Sequence, residues 1–157
     1  MRARDGRAGR DPKAEADERQ HRAADPGASV WVSASAGTGK TKVLTDRVLS
    51  LLVSGTAPHR ILCLTFTRAA SAEMANRINR ALGEWSTMAE AELARKLAAL
   101  LGRPADDAVL RRARALFARV LDTPGGMKIQ TIHGFCESLL GRFPLEAHLA
   151  PHFQLMD

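Results

Sequence analysis

The chain has 157 residues and 17.0 kDa, with 45% hydrophobic and 25% charged side chains, enough for one domain with a real core but short for a complete multi-domain machine. Lys plus Arg number 23 against 17 Asp plus Glu, a net +6 that admits an anionic partner without requiring one. Two cysteines exclude a disulfide scaffold, no stretch approaches the roughly 20 apolar residues of a membrane span, and 4% aromatics with no Tyr argue against a large base-stacking platform.

The Arg-rich start lacks the apolar run of a secretory signal, so a cytoplasmic protein is expected. Residues 1–12 hold little that can be buried and read as a disordered leader. Residues 13–24 are helix-compatible and stop at Asp25-Pro26-Gly27. Residues 29–33 form a short β-rich run, followed by a glycine-bearing loop over 34–41. Val43, Leu44, Val48, Leu49, Leu51 and Leu52 then predict a helix with a wide apolar face, ending near Gly55 and Pro58. Residues 61–66 read as a buried parallel strand, and Thr67 as the N-cap of a helix through Met74, Ile78 and Leu82.

Residues 87–121 change character: rich in Ala, Leu and Arg and interrupted once at Gly102-Arg103-Pro104, they predict two amphipathic helices, an insert over about 86–122. After the break at 122–126, Lys128-Ile129-Gln130 predicts a third short strand, feeding a helix from near Thr131 to about Leu140. The tail beyond Gly141 has no clear period, and no internal repeat is visible. Strand, loop, helix, strand, helix is the order of an α/β domain with a parallel sheet and flanking helices.

The loop Ala34-Ser35-Ala36-Gly37-Thr38-Gly39-Lys40-Thr41 sits between strand and helix and matches G-x-x-x-x-G-K-[ST] except at its first position, where Ala34 stands for Gly. Gly37 and Gly39 let successive N–H groups turn toward phosphate oxygens, and the following helix adds the positive end of its dipole. Lys40 supplies a cation for the β- and γ-phosphates of ATP, and the Thr41 hydroxyl suits Mg²⁺. A glycine-rich turn with an incidental Lys is the bland alternative.

This loop, together with Leu64-Thr65-Phe66-Thr67-Arg68-Ala69-Ala70-Ser71-Ala72-Glu73-Met74, resembles the start of a UvrD-type superfamily-1 DNA helicase, a family in which Ala at the first loop position is common. The run from Thr65 to Met74 is similar to that family's motif Ia, Gln130-Thr131-Ile132-His133-Gly134-Phe135 resembles motif Ib, and Gln20 stands where the upstream Q motif belongs. Thr131-Ile132-His133 followed by Phe135-Cys136 looks most like the AddA type of helicase–nuclease, which acts in double-strand-break repair. The resemblance spans residues 20–140 in four segments.

The resemblance implies an incomplete RecA-like, P-loop NTPase sheet within residues 13–157. It implies ATP bound by Gln20 and residues 34–41, and DNA, single- or double-stranded, bound by Phe66, Thr67, Arg68, Thr131 and His133. It further implies 3′-to-5′ translocation by the parent, the rest of the helicase chain as a partner, and an AddB-like partner subunit. Each residue also has a plainer reading: Gln20 as a solvated helix residue, Phe66 as a core side chain, Thr67 as a simple N-cap beside a solvated Arg68, His133 as structural. Arg95, Lys96, Arg103, Arg111, Arg112, Arg114 and Arg119 on the insert lie either along the DNA path or on a merely solvated face.

In this family the carboxylates of a motor stand as D-E-x-Q at the end of an apolar strand; the one such string here, Asp17-Glu18-Arg19-Gln20, lies in the helix-compatible segment before the loop, and no arginine finger can be assigned. Asp122 follows an apolar run, but its spacing is helical and no Glu follows. The expectation is an N-terminal fragment of a longer ATP-dependent helicase, inactive alone. The competing readings are a non-catalytic nucleotide- or DNA-binding module and a small P-loop kinase; the kinase leaves the run from Thr65 to Met74 unexplained.

Overall fold

A computed structural model describes residues 12–33, 39–150 and 153. In chain order they form α1 (Pro12–Ala24), α2 (Lys40–Val53), a short 3-10 turn (Pro58–Arg60), β1 (Leu62–Thr65), α3 (Arg68–Thr87), α4 (Glu90–Leu101), α5 (Asp107–Leu121), β2 (Lys128–Thr131) and α6 (Ile132–Arg142). Of the expected leader, residues 1–11 lie outside the described residues, and Pro12 already begins α1.

The helices form where local signals agree. The Thr67 hydroxyl caps α3 by accepting from the Ala70 N–H at 3.1 Å, and Met74, Ile78, Leu82 and Trp85, spaced three to four apart, bury one face. Gly102 ends α4 in the left-handed region at φ 66, and the Asp106 carboxylate opens α5 by accepting from the Val109 N–H at 2.8 Å. Leu93 and Leu97 on α4 and Val109, Ala113, Leu116 and Val120 on α5 join α2's Val48, Leu49, Leu52 and Val53 in one core with α3. The expected insert is therefore no separate lobe. α3 runs on to Thr87, and α5 packs along it so closely that a β-carbon added at Gly83 would meet the Phe117 ring at 3.9 Å.

The sheet has two strands. β1 and β2 pair in parallel with Leu62 opposite Lys128 and Thr65 opposite Thr131. Cys63 and Ile129 turn inward against the core, whereas Leu62 and Leu64 remain 47% and 42% exposed. The expected burial of 61–66 thus fails on one face, because a strand is buried on both faces only when both are covered.

The expected strand at 29–33 is absent as well: the segment is irregular, and Trp31 is 92% exposed. Its β-rich composition is real, but a strand needs a ladder partner, and among the described residues β1 pairs only with β2.

Two arginines of the insert are half-buried and bond within the fold. Arg112 donates to the Val53 carbonyl at 2.7 Å, closing the C-terminal end of α2, and Arg114 donates to the Met88 and Ser86 carbonyls at 2.9 and 3.4 Å, closing that of α3. Helix C-termini leave carbonyls unsatisfied and carry partial negative charge, so a guanidinium from a neighbouring helix answers both needs. Part of the positive charge is thereby committed to the fold.

Candidate functional site

Two groups of residues gather at the ends of elements. The first surrounds the start of α2. Gly39 precedes it with φ 85, a left-handed conformation that favours glycine. Among the described residues no side chain caps this terminus, and no acidic residue stands in its first turn. Lys40 and Thr41, both exposed, form that first turn. Ala34, Ser35, Ala36, Gly37 and Thr38 lie outside the described residues.

Gln20, half-buried on α1, meets this terminus from the other side. A β-carbon at Gly39 would lie 3.8 Å from the Gln20 Nε2, so its amide is held against the loop's last glycine although 19 positions separate them. The residue most easily dismissed as a solvated glutamine is thus in place beside the loop. Gln20 also lines a cavity of about 450 Å³ with Lys42, Asp46, Glu84, Trp85 and Lys96. Its charges pair among themselves, Lys42 with Asp46 at 2.8 Å and Lys96 with Glu84 at 3.5 Å, so it is a poor phosphate site and the uncapped helix end a better one.

A divalent cation fits the first group in one way. Mg²⁺ is commonly held by one or two protein oxygens together with substrate phosphates and water. Among the described residues no cluster of three or more His, Cys, Asp or Glu could hold a metal, and the Thr41 side chain puts one exposed hydroxyl at the helix start.

The second group lies at the C-terminal edge of the sheet. Because Thr65 and Thr131 are register partners, the chain leaves both strands at one level and enters α3 and α6 side by side. Adjacent strands are about 4.8 Å apart, so two helix N-termini open on the same edge. Neither has an acidic residue in its first turn.

Thr67 and Thr131 cap their helices, accepting from the N–H groups of Ala70 at 3.1 Å and Gly134 at 3.0 Å, which leaves each hydroxyl its hydrogen to donate. Arg68 and His133 are exposed in the adjoining first turns. Phe66 is 85% exposed, which rules out its reading as a core side chain. The Thr65 hydroxyl donates to the Thr67 carbonyl at 3.0 Å and so fixes the bend at which Phe66 is displayed. A ring held outward beside hydroxyl, guanidinium and N–H donors can stack on a base while a backbone phosphate is gripped next to it.

Of the insert's remaining basic residues, Lys96 pairs with Glu84 and stands 4.0 Å from Glu92, Arg95 donates to the Ala91 carbonyl at 3.4 Å, and Arg103, Arg111 and Arg119 are exposed. Burial pushes the Cys63 thiol up from its ordinary range, so it is held protonated, whereas Cys136 is exposed.

Sequence reasoning missed Arg47. From α2 it donates to the carbonyls of Ala23, Asp25 and Ala28 at 3.2, 2.6 and 2.6 Å. The one available signal was a cation in a helix whose neighbours Val48 and Leu49 are core residues.

Residues 15–157 match the UvrD/REP helicase N-terminal domain family. Similar curated proteins include the AddA-type ATP-dependent helicase/nuclease of Lactobacillus acidophilus, 36% identical over 139 residues, which are 88% of this chain and 10% of that protein. Its counterparts in Pelotomaculum thermopropionicum (36% over 135 residues) and Listeria monocytogenes (33% over 134) each align with 83% of this chain and 9% of their own length. The chain spans about a tenth of the length of the curated relatives it matches. No solved structure matches it.

Proposed function

The chain belongs to the UvrD/REP helicase N-terminal domain family, and from that premise we propose that it is the N-terminal part of an ATP-dependent DNA helicase of the AddA type, acting in double-strand-break repair. Residues 13–157 are then the first part of a RecA-like ATP-binding domain, with α4 and α5 as its helical insert. ATP is held by residues 34–41, with Lys40 on the β- and γ-phosphates, Thr41 on Mg²⁺ and Gln20 on the adenine edge. The observation that carries this reading is the approach of Gln20 to Gly39, which joins a base-reading amide to an uncapped helix N-terminus.

Single-stranded DNA runs along the edge formed by the ends of β1 and β2. Phe66 stacks on a base, and Thr67, Arg68, Thr131 and His133 hold phosphates. The parent protein translocates 3′ to 5′ in the cytoplasm with an AddB-like partner. For the isolated chain, the absence of a D-E-x-Q run at the end of an apolar strand favours binding without turnover. Among the described residues no helix is long and apolar enough to cross a membrane.

Titrating the chain with a fluorescent ATP analogue and Mg²⁺, and then with single-stranded DNA, tests the reading. Binding of both without hydrolysis is expected. A chain that phosphorylates a small acceptor and ignores DNA would be a kinase, and the helicase assignment would fall.

A further inference from the structure

We infer that Arg47 is a positioning residue for base recognition: through the carbonyls at the end of α1 it fixes where Gln20 stands relative to the phosphate loop. The inference rests on the reading of Gln20 as the adenine contact.

Among the described residues α1 packs along α2, and Arg47 supplies the side-chain hydrogen bond between the two helices. The composition of α1 is strongly polar, and of its described side chains only Ala23 and Ala24 are buried, two methyl groups at its last turn. Its ion pair, Arg19 with Glu15 at 2.6 Å, lies within the helix and ties it to nothing. The backbone bonds that close the following turn are long, Asp25 N–H to the Arg22 carbonyl at 3.4 Å and Ala28 N–H to the Asp25 carbonyl at 3.5 Å. Against these stand the Arg47 bonds, two of them at 2.6 Å, from a half-buried guanidinium on α2. Charge-assisted bonds are roughly twice as strong as neutral ones, and a cation at a helix C-terminus gains from the dipole as well.

The three acceptors bear on the site at both ends of one short segment. Ala23 lies three residues after Gln20, so the bond to its carbonyl anchors the helix turn that carries the amide. Ala28 lies beyond the turn that ends α1, so the bond to its carbonyl holds the far side of that turn. Arg47 itself stands two turns after Lys40 on the helix whose N-terminus receives the phosphates. One planar fork therefore ties the base-reading helix and the turn after it to the phosphate-binding helix. The bond geometry needs guanidinium: Nη1 serves Ala23 and Asp25 while Nη2 serves Ala28, a spread that the single ammonium of Lys covers only in part.

The test measures, on the full chain with Mg²⁺, the affinities of ATP, GTP and inorganic tripolyphosphate for the native protein and for Gln20→Ala, Arg47→Gln and Arg47→Lys, with circular dichroism to confirm folding. ATP should be preferred over GTP in the native protein, and Gln20→Ala should abolish that preference. Arg47→Gln should weaken ATP about tenfold and collapse the ATP-over-GTP ratio, leave tripolyphosphate within about twofold, and be partly rescued in Arg47→Lys. An unchanged ratio in folded Arg47→Gln, alongside a lost ratio in Gln20→Ala, would overturn the role of Arg47 while sparing that of Gln20. Equal weakening of all three ligands in Arg47→Lys would also overturn it, as a general structural defect. A Gln20→Ala variant that discriminates as the native chain does would instead remove the base-reading role, and the inference with it.

Discussion

The helical half of the molecule and the sheet edge are built on opposite terms. Across α2, α3, α4 and α5 the apolar residues find one another, and Leu52, Ile78, Leu82, Leu93, Leu97 and Leu116 are almost wholly enclosed. At the sheet edge, Leu62, Leu64 and Phe66 are exposed, as are Val30, Trp31 and Val32 in the irregular segment before the loop, and α6 buries none of its residues. The first region supplies stability from within this chain, whereas the second displays its side chains. The candidate DNA contacts sit in the second, at helix starts whose donors face outward, and α3, which packs on both strands and on α2 and α5, bridges the two.

Truncating one leucine on each side tests this contrast most strongly. Leu97→Ala removes a fully buried side chain and should lower unfolding free energy by about 2–5 kcal/mol, whereas Leu64→Ala, at 42% exposure, should cost less than about 1 kcal/mol. Chemical denaturation of both variants measures the difference, and equal losses would mean that the sheet edge is covered in solution. Lys40→Ala should weaken ATP binding by about 1.5–3 kcal/mol, roughly ten- to a hundredfold, with melting temperature little changed, because its side chain is exposed at a helix start. Nucleotide titration and thermal melting read the two effects separately.

Phe66→Ala sharpens the comparison further, since Phe is elsewhere among the costliest core truncations. At 85% exposure it should change stability by less than about 0.5 kcal/mol, while single-stranded DNA binding weakens by about 1–3 kcal/mol. A large fall in melting temperature would return Phe66 to the interior. Unchanged DNA affinity with intact stability would leave the exposed ring without the stacking role.

The same division decides what the sequence could tell. The four helices of the enclosed half were legible because a period near 3.6 residues is local: Met74, Ile78 and Leu82 announce their shared face without reference to any other segment. The N-cap Thr67 was legible for the same reason, its bond closing within three residues. The segment 29–33 misled because its composition is local but a strand's existence is not. Arg47, Arg112 and Arg114 were opaque because their partners are backbone carbonyls 19 to 59 positions away, which no residue type marks. At the candidate site, the loop residues Lys40 and Thr41 could be named from sequence, but the approach of Gln20 to Gly39 is a tertiary fact.

The enclosed half carries one flaw, and it gives the smallest of the expected effects. Ser50, in the middle of α2, is 1% exposed, and its hydroxyl has no hydrogen-bonding partner among the described residues. Thr45, earlier on the same helix, shows the usual solution, donating to the Thr41 carbonyl at 2.8 Å. An unsatisfied buried hydroxyl costs about 1–3 kcal/mol of desolvation, and exchange for a methyl-sized side chain removes that cost while opening little space. Ser50→Ala should therefore raise stability by about 1 kcal/mol, against the general trend that buried substitutions destabilise. The Ser50 side chain borders a cavity of about 260 Å³ that also touches His21, Ser54 and Arg103, roomy enough for water to reach the hydroxyl. Thermal melting distinguishes the two cases by sign: a rise would confirm a dry, unpaired hydroxyl, and a fall would show that the cavity is wet and that solvent enters the enclosed half at this point.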